Sequence, residues 1–464
     1  MSQATPDPRE STSFQFTDCQ YTPAEGVIRL VYRFDNGPEL VEHITFPYAP
    51  WPPEASRQSA FQSALEILHL VAGVSYYKAG LSPHMQLRQS SSLAGISGFL
   101  TELYVEGLAE MGYLNQLDVA GRVKFDAEEA GANQRIEPDQ AGTGNSLILP
   151  DRALVAMGGG KDSLVGLDLM QQAGVEVLPV CIGGSELIMH TVKAAGLPLL
   201  RIRRQLAPQL AKMNRAGAWN GHVPVTAINS AILLCASILY GFRYIVFSNE
   251  RSADEATLLS REGTGINHQY SKSSSFEKNF RQVIAEQVSR DIEYFSILRP
   301  FSEVGIVERF STMKKYHPIY SSCNRNFHLD GPHIEGRWCL ECPKCLFAAL
   351  SLALFLAPRE VAAIQGGDLL DDIRQEEGFR ALCNLGREKP FECVGEAGES
   401  RAAMVQLSRK PEWRDHAIVR LLQADLNRVG VPGLDELMQP SAKHCIPASL
   451  LKSLEQAGEF DARH

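Results

Sequence analysis

One stretch of the sequence reads Ala153-Leu154-Val155-Ala156-Met157-Gly158-Gly159-Gly160-Lys161-Asp162-Ser163, an apolar run followed directly by three glycines and a Lys-Asp-Ser triplet. The apolar run predicts a buried strand, and residues 163–172 predict the helix after it. Glycines at such a turn let the backbone approach an anion closely, and the N–H groups that start the helix point toward that anion. The stretch therefore predicts a phosphate-binding turn in an α/β fold.

The residues beyond this turn alternate between short apolar strands and helices. The predicted strands cover 177–181, 199–202 and 244–248, and the predicted helices cover 190–195 and 226–240. This alternation predicts a parallel sheet covered by helices on both faces. Such sheets bind ligands at the carboxyl ends of their strands, where we expect the glycine turn to lie.

The N-terminal part follows a different pattern. Residues 27–34 and 40–46 alternate apolar and polar side chains around an Asn-Gly turn, which predicts a β-hairpin, and residues 55–72 have helical spacing. Residues 126–146 are rich in Gly, Asn, Asp and Gln, which is typical of a linker. We expect three regions, an α+β domain at 1–145, an α/β domain at 146–356 and a mostly helical region at 357–464.

The polar residues of the turn are suited to binding phosphate. Lys161 supplies a mobile positive charge, Ser163 offers a hydroxyl to a phosphate oxygen, and Asp162 either holds Mg²⁺ or caps the helix. A Walker A loop needs a glycine where Val155 stands, and a Rossmann fingerprint starting at Gly158 needs one where Ser163 stands. The remaining alternative is a tight turn that binds nothing.

A second polar segment, Ser248 to Glu255, leaves the end of another predicted strand. Asn249 and Glu250 are its first amide and acidic side chains, and they are expected near the crevice where substrate or Mg²⁺ would bind. The alternative is a charged loop that is merely solvated.

Four cysteines suggest a metal site. Cys339, Cys342 and Cys345 follow one another at every third position, and Cys323 lies upstream. Four thiolates form a closed tetrahedral zinc site of a structural kind, although reduced, partly buried thiols are the alternative. One sulfur could also be replaced by a nearby histidine, of which there are three: His317, His328 and His333.

Composition excludes several classes of protein. A net charge of −9 argues against a protein that mainly grips nucleic acid. Residues 1–13 lack the features of a secretory signal, and the strongest apolar run, 346–357, is shorter than the roughly 20 residues needed to span a bilayer. We therefore expect a cytoplasmic enzyme with no membrane or nucleic-acid partner.

The sequence Gly-Gly-Gly-Lys-Asp-Ser resembles the pyrophosphatase loop of the PP-loop ATPases, Ser-Gly-Gly-x-Asp-Ser, with Gly158 in place of the leading serine. The resemblance implies a parallel sheet of the PP-loop (HUP-like) type. It also implies cleavage of ATP between its α- and β-phosphates and transfer of adenylate to a substrate oxygen. The residues that would bind the nucleotide are Gly158, Gly159, Gly160, Lys161, Asp162, Ser163, Asn249 and Glu250.

Three further strings narrow the family: Gly73-Val74-Ser75-Tyr76-Tyr77-Lys78-Ala79, Asn267-His268-Gln269-Tyr270-Ser271-Lys272-Ser273 and Lys389-Pro390-Phe391-Glu392-Cys393-Val394-Gly395. With the loop and the cysteines, they make the chain resemble the UDP-N-acetyl-α-D-muramoyl-L-alanyl-L-glutamate epimerases of peptidoglycan synthesis. That family implies ATP, Mg²⁺ and a UDP-muramoyl-dipeptide substrate, in a pathway shared with the muramoyl-peptide ligases. The alternative is a PP-loop ligase related to 7-cyano-7-deazaguanine synthase, a family with a similar late cysteine cluster.

Epimerisation requires an acid and a base as well as the nucleotide. Adenylation of a carboxylate makes the neighbouring Cα proton removable, and a second group returns a proton on the opposite face. Lys161 and Asp162 are the candidates for the nucleotide step, and Cys393 is a candidate base because a thiolate can serve when its pKa is lowered. Others in the strings are Tyr76, Tyr77, Lys78, His268 and Lys272, each with packing or substrate contact as the alternative.

Overall fold

The structure is a computed structural model of the 464-residue chain. It describes residues 7–49, 51–52, 54–87, 95–125, 146–184, 186–255, 258–259, 265–326, 336–387, 390, 392 and 394–458. The predicted linker at 126–146 lies almost wholly outside the described residues.

The strands are β1 (Ser13–Thr22), β2 (Val27–Phe34), β3 (Leu40–Thr45), β4 (His84–Gln86), β5 (Arg152–Ala156), β6 (Glu176–Ile182), β7 (Leu200–Gln205), β8 (Tyr244–Phe247), β9 (Leu258–Leu259), β10 (Gly265–Ile266) and β11 (Glu293–Ser296). The helices are α1 (Ala55–Ala72), α2 (Val74–Tyr77), α3 (Ser97–Gly107), α4 (Ala109–Asn115), α5 (Lys161–Gln172), α6 (Glu186–Ala195), α7 (Pro208–Arg215), α8 (Val225–Tyr240), α9 (Ser274–Gln287), α10 (Glu303–Thr312), α11 (Pro343–Leu352), α12 (Pro358–Gln365), α13 (Glu376–Leu382), α14 (Ala397–Arg409), α15 (Ala417–Leu426), α16 (Leu434–Met438) and α17 (Ala448–Gln456).

Within the described residues, nine strands form one sheet in the order β11-β8-β5-β6-β7-β3-β2-β1-β4. The sheet is mostly parallel, and β8 and β11 are an example. The N–H of Glu293 donates to the carbonyl of Arg243, and the N–H of Ile297, four residues later, donates to the carbonyl of Phe247, also four residues later. The two strands therefore run in the same direction. Antiparallel pairs join β1 to β2, β2 to β3 and β3 to β7. The predicted α/β class is confirmed.

The N-terminal hairpin is confirmed, but its strands do not form a sheet of their own. Strands β2 and β3 pair antiparallel, and Asp35 adopts a positive φ in the turn between them. Strand β3 then pairs with β7 through residues His43 to Thr45. The hairpin therefore extends the main sheet, because β3 is bonded to a neighbour on each side.

The chain divides into two compact units, each assembled from separate stretches of sequence. The first unit comprises 1–154, 200–245 and 258–295, and the second comprises 155–199, 246–257 and 296–464. In the first unit, α1 packs against the apolar helix α8, and Phe14, Tyr32 and Tyr76 form an aromatic core. In the second, α5 packs against α10 and α11 against α14. The three consecutive regions expected from the sequence stay a prediction.

Beyond residue 357 the described chain is helical with loops, as predicted. The apolar run at 346–357 begins inside α11 and continues past its end. Among the described residues, no helix is both long enough and apolar enough to cross a membrane.

Candidate functional site

The glycine turn, defined as Gly158 to Ser163, joins β5 to α5 in the second unit. Strand β5 is buried, and the Met157 N–H just beyond it donates to the carbonyl of Val180 at 2.8 Å. Gly159 has a φ of +79°, and a Cβ built on it would lie 3.0 Å from Ile188 Cγ1. Glycine is therefore required at this position for both its backbone angle and its close packing.

The other two glycines leave room beside the start of α5. A Cβ on Gly158 would meet nothing within 4 Å, and one on Gly160 would lie 3.6 Å from Ser322 Oγ. In the described structure no side chain caps the N-terminus of α5, and Ser163 Oγ instead donates back to the Gly160 carbonyl at 3.0 Å. The first N–H groups of the helix therefore remain suited to an anion placed in the space beside Gly158.

Lys161 is held between two carboxylates. Its Nζ donates to Asp162 Oδ1 and to Glu303 Oε2, each at 2.6 Å, and its side chain is buried. Burial opposes the charge on the ammonium, but Asp162 and Glu303 outweigh it and raise the pKa of Lys161. The Lys161 ammonium is therefore held protonated and in place, with the Asp162 carboxylate beside it in the same turn.

Glu303 is the residue of this site that sequence reasoning missed. It opens α10, whose N-cap Ser302 accepts a hydrogen bond from the Gly305 N–H. Burial, with the carboxylates of Asp162 and Glu250 nearby, raises the pKa of Glu303, while Lys161 opposes the shift. The only sequence signal was a serine cap before an acidic residue, which is common at the start of helices.

The segment after β8 brings a further carboxylate close to this group. Asn249 and Glu250 are both buried, and their backbone carbonyls accept hydrogen bonds from Ser296 Oγ at 2.6 Å and Arg299 Nη1 at 2.8 Å. The Glu250 carboxylate acts electrostatically on Glu303. Glu250 thus lies near the glycine turn, whereas contact of Asn249 with a ligand stays a prediction.

The cysteine cluster, Cys323, Cys339, Cys342 and Cys345, also lies in the second unit. The four sulfur atoms lie within 4.8 Å of one another. Hydrogen bonds from Cys342 and Cys345 lower the pKa of the Cys323 thiol to about 3. The four cysteines are therefore brought together, and their binding of zinc stays a prediction.

Among the described residues, His317 is not part of the cysteine cluster. His317 Nε2 lies 3.1 Å from the carbonyl oxygen of Phe310. His328, His333 and Cys393 lie outside the described residues, and the role of Cys393 as a base stays a prediction.

In the first unit, Tyr76 and Tyr77 belong to the core. Tyr76 stacks on Tyr32, and its hydroxyl accepts a hydrogen bond from the Ala207 N–H at 3.0 Å. The Tyr77 hydroxyl donates to the carbonyl of Arg122 at 3.3 Å. Burial raises the pKa of both phenols, which favours a packing role over proton transfer.

Two of the three family-like strings meet at the loop before α8. Lys78 is buried and donates to Asn220 Oδ1, and burial lowers the pKa of its ammonium to about 8. Two residues further on, the ring of His222 lies 6.5 Å from the ring of His268, between centroids. His222 Nδ1 lies 4.0 Å from Glu110 Oε2.

The charges around His222 disfavour its protonation. Burial, with His268 and Lys272 nearby, lowers the pKa of His222 to about 4. Nothing in the local sequence distinguishes Asn220, His222 or Glu110, because none of them lies in one of the three family-like strings.

Comparison with known proteins places the chain in a family. Residues 5–297 match the profile described as the MurL N-terminal domain, and residues 319–435 match the MurL C-terminal domain. A protein of Xanthomonas oryzae pv. oryzae named UDP-N-acetyl-alpha-D-muramoyl-L-alanyl-L-glutamate epimerase is 42% identical over 96% of this chain and 97% of its own length. Proteins of the same name from Salinispora tropica and a Micromonospora species are each 37% identical, over 89% and 91% of this chain and 89% and 92% of their own lengths.

Proposed function

The chain belongs to the MurL family of UDP-N-acetyl-α-D-muramoyl-L-alanyl-L-glutamate epimerases, and on that premise we propose that it couples this inversion to the cleavage of ATP. The enzyme is thus an isomerase that converts the terminal L-glutamate of the UDP-linked dipeptide to D-glutamate. The products that accompany the inversion are AMP and diphosphate. The reaction is assigned to the cytoplasm, and its product to the muramoyl-peptide ligases of peptidoglycan synthesis.

The observation that carries the ATP step is the glycine turn at the head of α5. A side chain at Gly158 would enter open space, uncapped N–H groups start the helix, and the Lys161 ammonium is fixed nearby. Together these features support a PP-loop type of site, in which helix N–H groups and a lysine neutralise the phosphates.

The first step joins the α-carboxylate of glutamate to the nucleotide. A carboxylate oxygen attacks the α-phosphorus of ATP, the bond from that phosphorus to the β-phosphate bridge breaks, and diphosphate leaves with the bond electrons. Lys161 would stabilise charge that develops on the departing phosphates, since its ammonium stays protonated between Asp162 and Glu303. Asp162 would hold Mg²⁺, because its carboxylate is partly exposed whereas that of Glu303 is buried.

The second step inverts Cα. In the acyl-adenylate the carboxylate charge is gone, so a base can remove the Cα proton and leave an enolate rather than a carbanion beside a negative charge. A proton returned on the opposite face gives the D-configuration. Water then cleaves the acyl-phosphate bond, which releases AMP and the epimerised carboxylate and makes the sequence effectively irreversible.

The test is an assay that resolves AMP from ADP while it follows the configuration of glutamate. With the UDP-muramoyl-L-Ala-L-Glu substrate and ATP, we expect equal amounts of AMP, diphosphate and D-glutamate product. In D₂O the product should carry deuterium at Cα. Formation of ADP and orthophosphate, or inversion without any nucleotide, would refute the proposal.

Asp162→Ala tests the assignment to the glycine turn. We expect at least a roughly hundredfold loss of diphosphate release, because charge stabilisation at the phosphates is lost while the fold is kept. The matched control is Asp168→Ala, on the same helix, where the carboxylate only accepts a hydrogen bond from Gln172. Near-normal turnover by the Asp162 variant would place the nucleotide elsewhere.

A further inference from the structure

The sulfur atoms of the cysteine cluster are spaced like the corners of a tetrahedron around one metal ion. Cys342 Sγ lies 3.5 Å from Cys345 Sγ and 3.9 Å from Cys323 Sγ, and Cys339 Sγ lies 3.8 Å from Cys345 Sγ. Four sulfurs at the zinc–sulfur distance of about 2.3 Å from a shared centre would be about 3.8 Å apart. A disulfide would instead bring two sulfurs to about 2.05 Å.

The backbone around the cluster builds this arrangement from short-range features. Leu340 takes a positive φ of 62°, and the Cys342 N–H donates to Cys339 Sγ at 3.3 Å, so the chain folds around the first sulfur. Pro343 then starts α11, which places Cys345 in its first turn. The Gln365 side chain fixes that turn by donating to the Cys345 carbonyl at 2.8 Å.

The charge and packing of the cluster fit a closed mononuclear site. Four thiolates around a divalent ion leave a net charge of about −2. Cys323 and Cys345 are fully buried, whereas Cys339 and Cys342 are partly exposed. Four thiolates fill the four tetrahedral positions, which leaves no open position for a substrate. A four-iron cluster would put each thiolate on a different iron and so hold the sulfurs further apart.

The segment that supplies the fourth sulfur also borders the glycine turn. A Cβ built on Gly160 would lie 3.6 Å from Ser322 Oγ and 3.8 Å from the carbonyl oxygen of Ser321, and these are the two residues before Cys323. Ser321 is itself tied down, since its hydroxyl donates to the Arg337 carbonyl at 2.6 Å and accepts from the Cys323 N–H at 3.0 Å. A displacement of Cys323 would therefore also displace Ser321 and Ser322, which lie beside Gly160.

We propose that the cysteine cluster binds one Zn²⁺ ion and that this ion holds Ser321 and Ser322 in place beside Gly160. Zinc then fixes the shape of the glycine turn without contacting the nucleotide. The metal site itself is independent of the ATP-dependent epimerase function. The effect on the turn rests on that function.

Metal content tests the site. The purified full-length chain should contain about one zinc ion per molecule by elemental analysis. Cys342→Ser should lose most of the zinc, whereas Cys445→Ser, at a cysteine outside the cluster, should retain it. Wild-type protein without bound metal, or with several iron ions per chain, would overturn the zinc site.

Kinetics test the effect on the turn. Removal of zinc from the wild-type enzyme by 1,10-phenanthroline should raise the KM for ATP about tenfold or more, because Ser321 and Ser322 are then no longer held beside the glycine turn. The KM for the UDP-linked dipeptide should change far less, and added Zn²⁺ should restore the original value. An unchanged KM for ATP in zinc-free, folded enzyme would refute the coupling.

A variant that keeps all four cysteines covers the case in which the zinc-free chain unfolds. Ser322→Leu should retain zinc but raise the KM for ATP, because the larger side chain presses on Gly160. Normal ATP kinetics in this variant would also overturn the coupling. If the wild-type enzyme holds zinc yet never releases AMP, the ATP-dependent function fails while the zinc site stands.

Discussion

Gly158 and Gly159 are neighbours in the chain, but only Gly159 is required to be glycine by the fold. Gly159 needs the left-handed backbone, whereas Gly158 does not and borders open space. We expect Gly159→Ala to lower the free energy of unfolding by about 1–2 kcal/mol, through backbone strain and contact with Ile188.

Gly158→Ala is the matched variant. Its stability should stay within about 0.5 kcal/mol of the wild type, while its KM for ATP should rise because the new methyl group enters the space assigned to phosphate. Denaturant unfolding and ATP kinetics on both variants are the measurements. A Gly158→Ala enzyme with normal ATP kinetics would show that the phosphates do not approach this glycine.

Residue chemistry could be predicted from the sequence only where the residues are adjacent. Lys161, Asp162 and Ser163 stand together after an apolar run, so their grouping was visible. Glu303 reaches the same lysine from 142 positions away, and nothing in its local sequence distinguishes it from any acidic residue at a helix start. Lys78 and Asn220 are likewise paired only by the fold.

Helix α10 illustrates how an element carries a site residue into place. Its N-cap Ser302 fixes the first turn, and Glu303 follows at once. Ser302→Ala should lower the free energy of unfolding by about 1 kcal/mol, the usual effect of losing a serine cap.

The same variant should also lower the rate of AMP formation, because fraying of the first turn displaces Glu303 from Lys161. The control is Ser453→Ala in the interior of α17, where the hydroxyl only bonds back to the Ser449 carbonyl, and there we expect little change. Thermal unfolding and the AMP assay are the measurements. Full activity in Ser302→Ala would mean that Glu303 does not depend on this cap.

The sequence predicted the elements more reliably than their ends. Helix α5 was expected from residue 163 but begins at Lys161, because its N-cap is Gly160 rather than one of the usual polar capping residues. Helix α6 begins at Glu186, four residues before the expected start. The hairpin of β2 and β3 was predicted closely, since strict alternation and an Asn-Gly turn leave little freedom.

At the scale of the whole molecule, one buried carboxyl should shape the dependence of stability on pH. Glu399 is buried and accepts hydrogen bonds from the N–H groups of Glu396 and Val304. Burial nevertheless raises its pKa to about 7 from its usual value of 4.5. The folded state therefore binds this proton more tightly than the unfolded state, and stability falls as pH rises from about 4.5 to about 7.

Glu399→Gln should remove this fall. Relative to the wild type, the variant should gain about 3 kcal/mol in free energy of unfolding across that pH window, with the gain complete above about pH 7. Denaturant titrations at a series of pH values are the measurement, and Glu455→Gln, on the exposed side of α17, should follow the wild type. A constant difference between Glu399→Gln and the wild type would show that the carboxyl does not titrate in this window.

The overall arrangement could be predicted only in part. Alternating strands and helices indicated an α/β sheet, but the link from β3 to β7 left no local trace, because it joins segments that are distant in sequence. The first compact unit likewise takes its residues from three separate stretches, a grouping that depends on contacts between segments distant in sequence.

The pairing of β3 with β7 bears on how the chain is made. Its buried ion pair joins Glu42 to Arg204, which lie 162 residues apart. At a ribosomal rate of about 5–20 residues per second, the nascent hairpin waits about 8–32 s for that partner, with an open edge and an uncompensated carboxylate. During synthesis, the hairpin of β2 and β3 is therefore the segment on which a chaperone would have the most time to act.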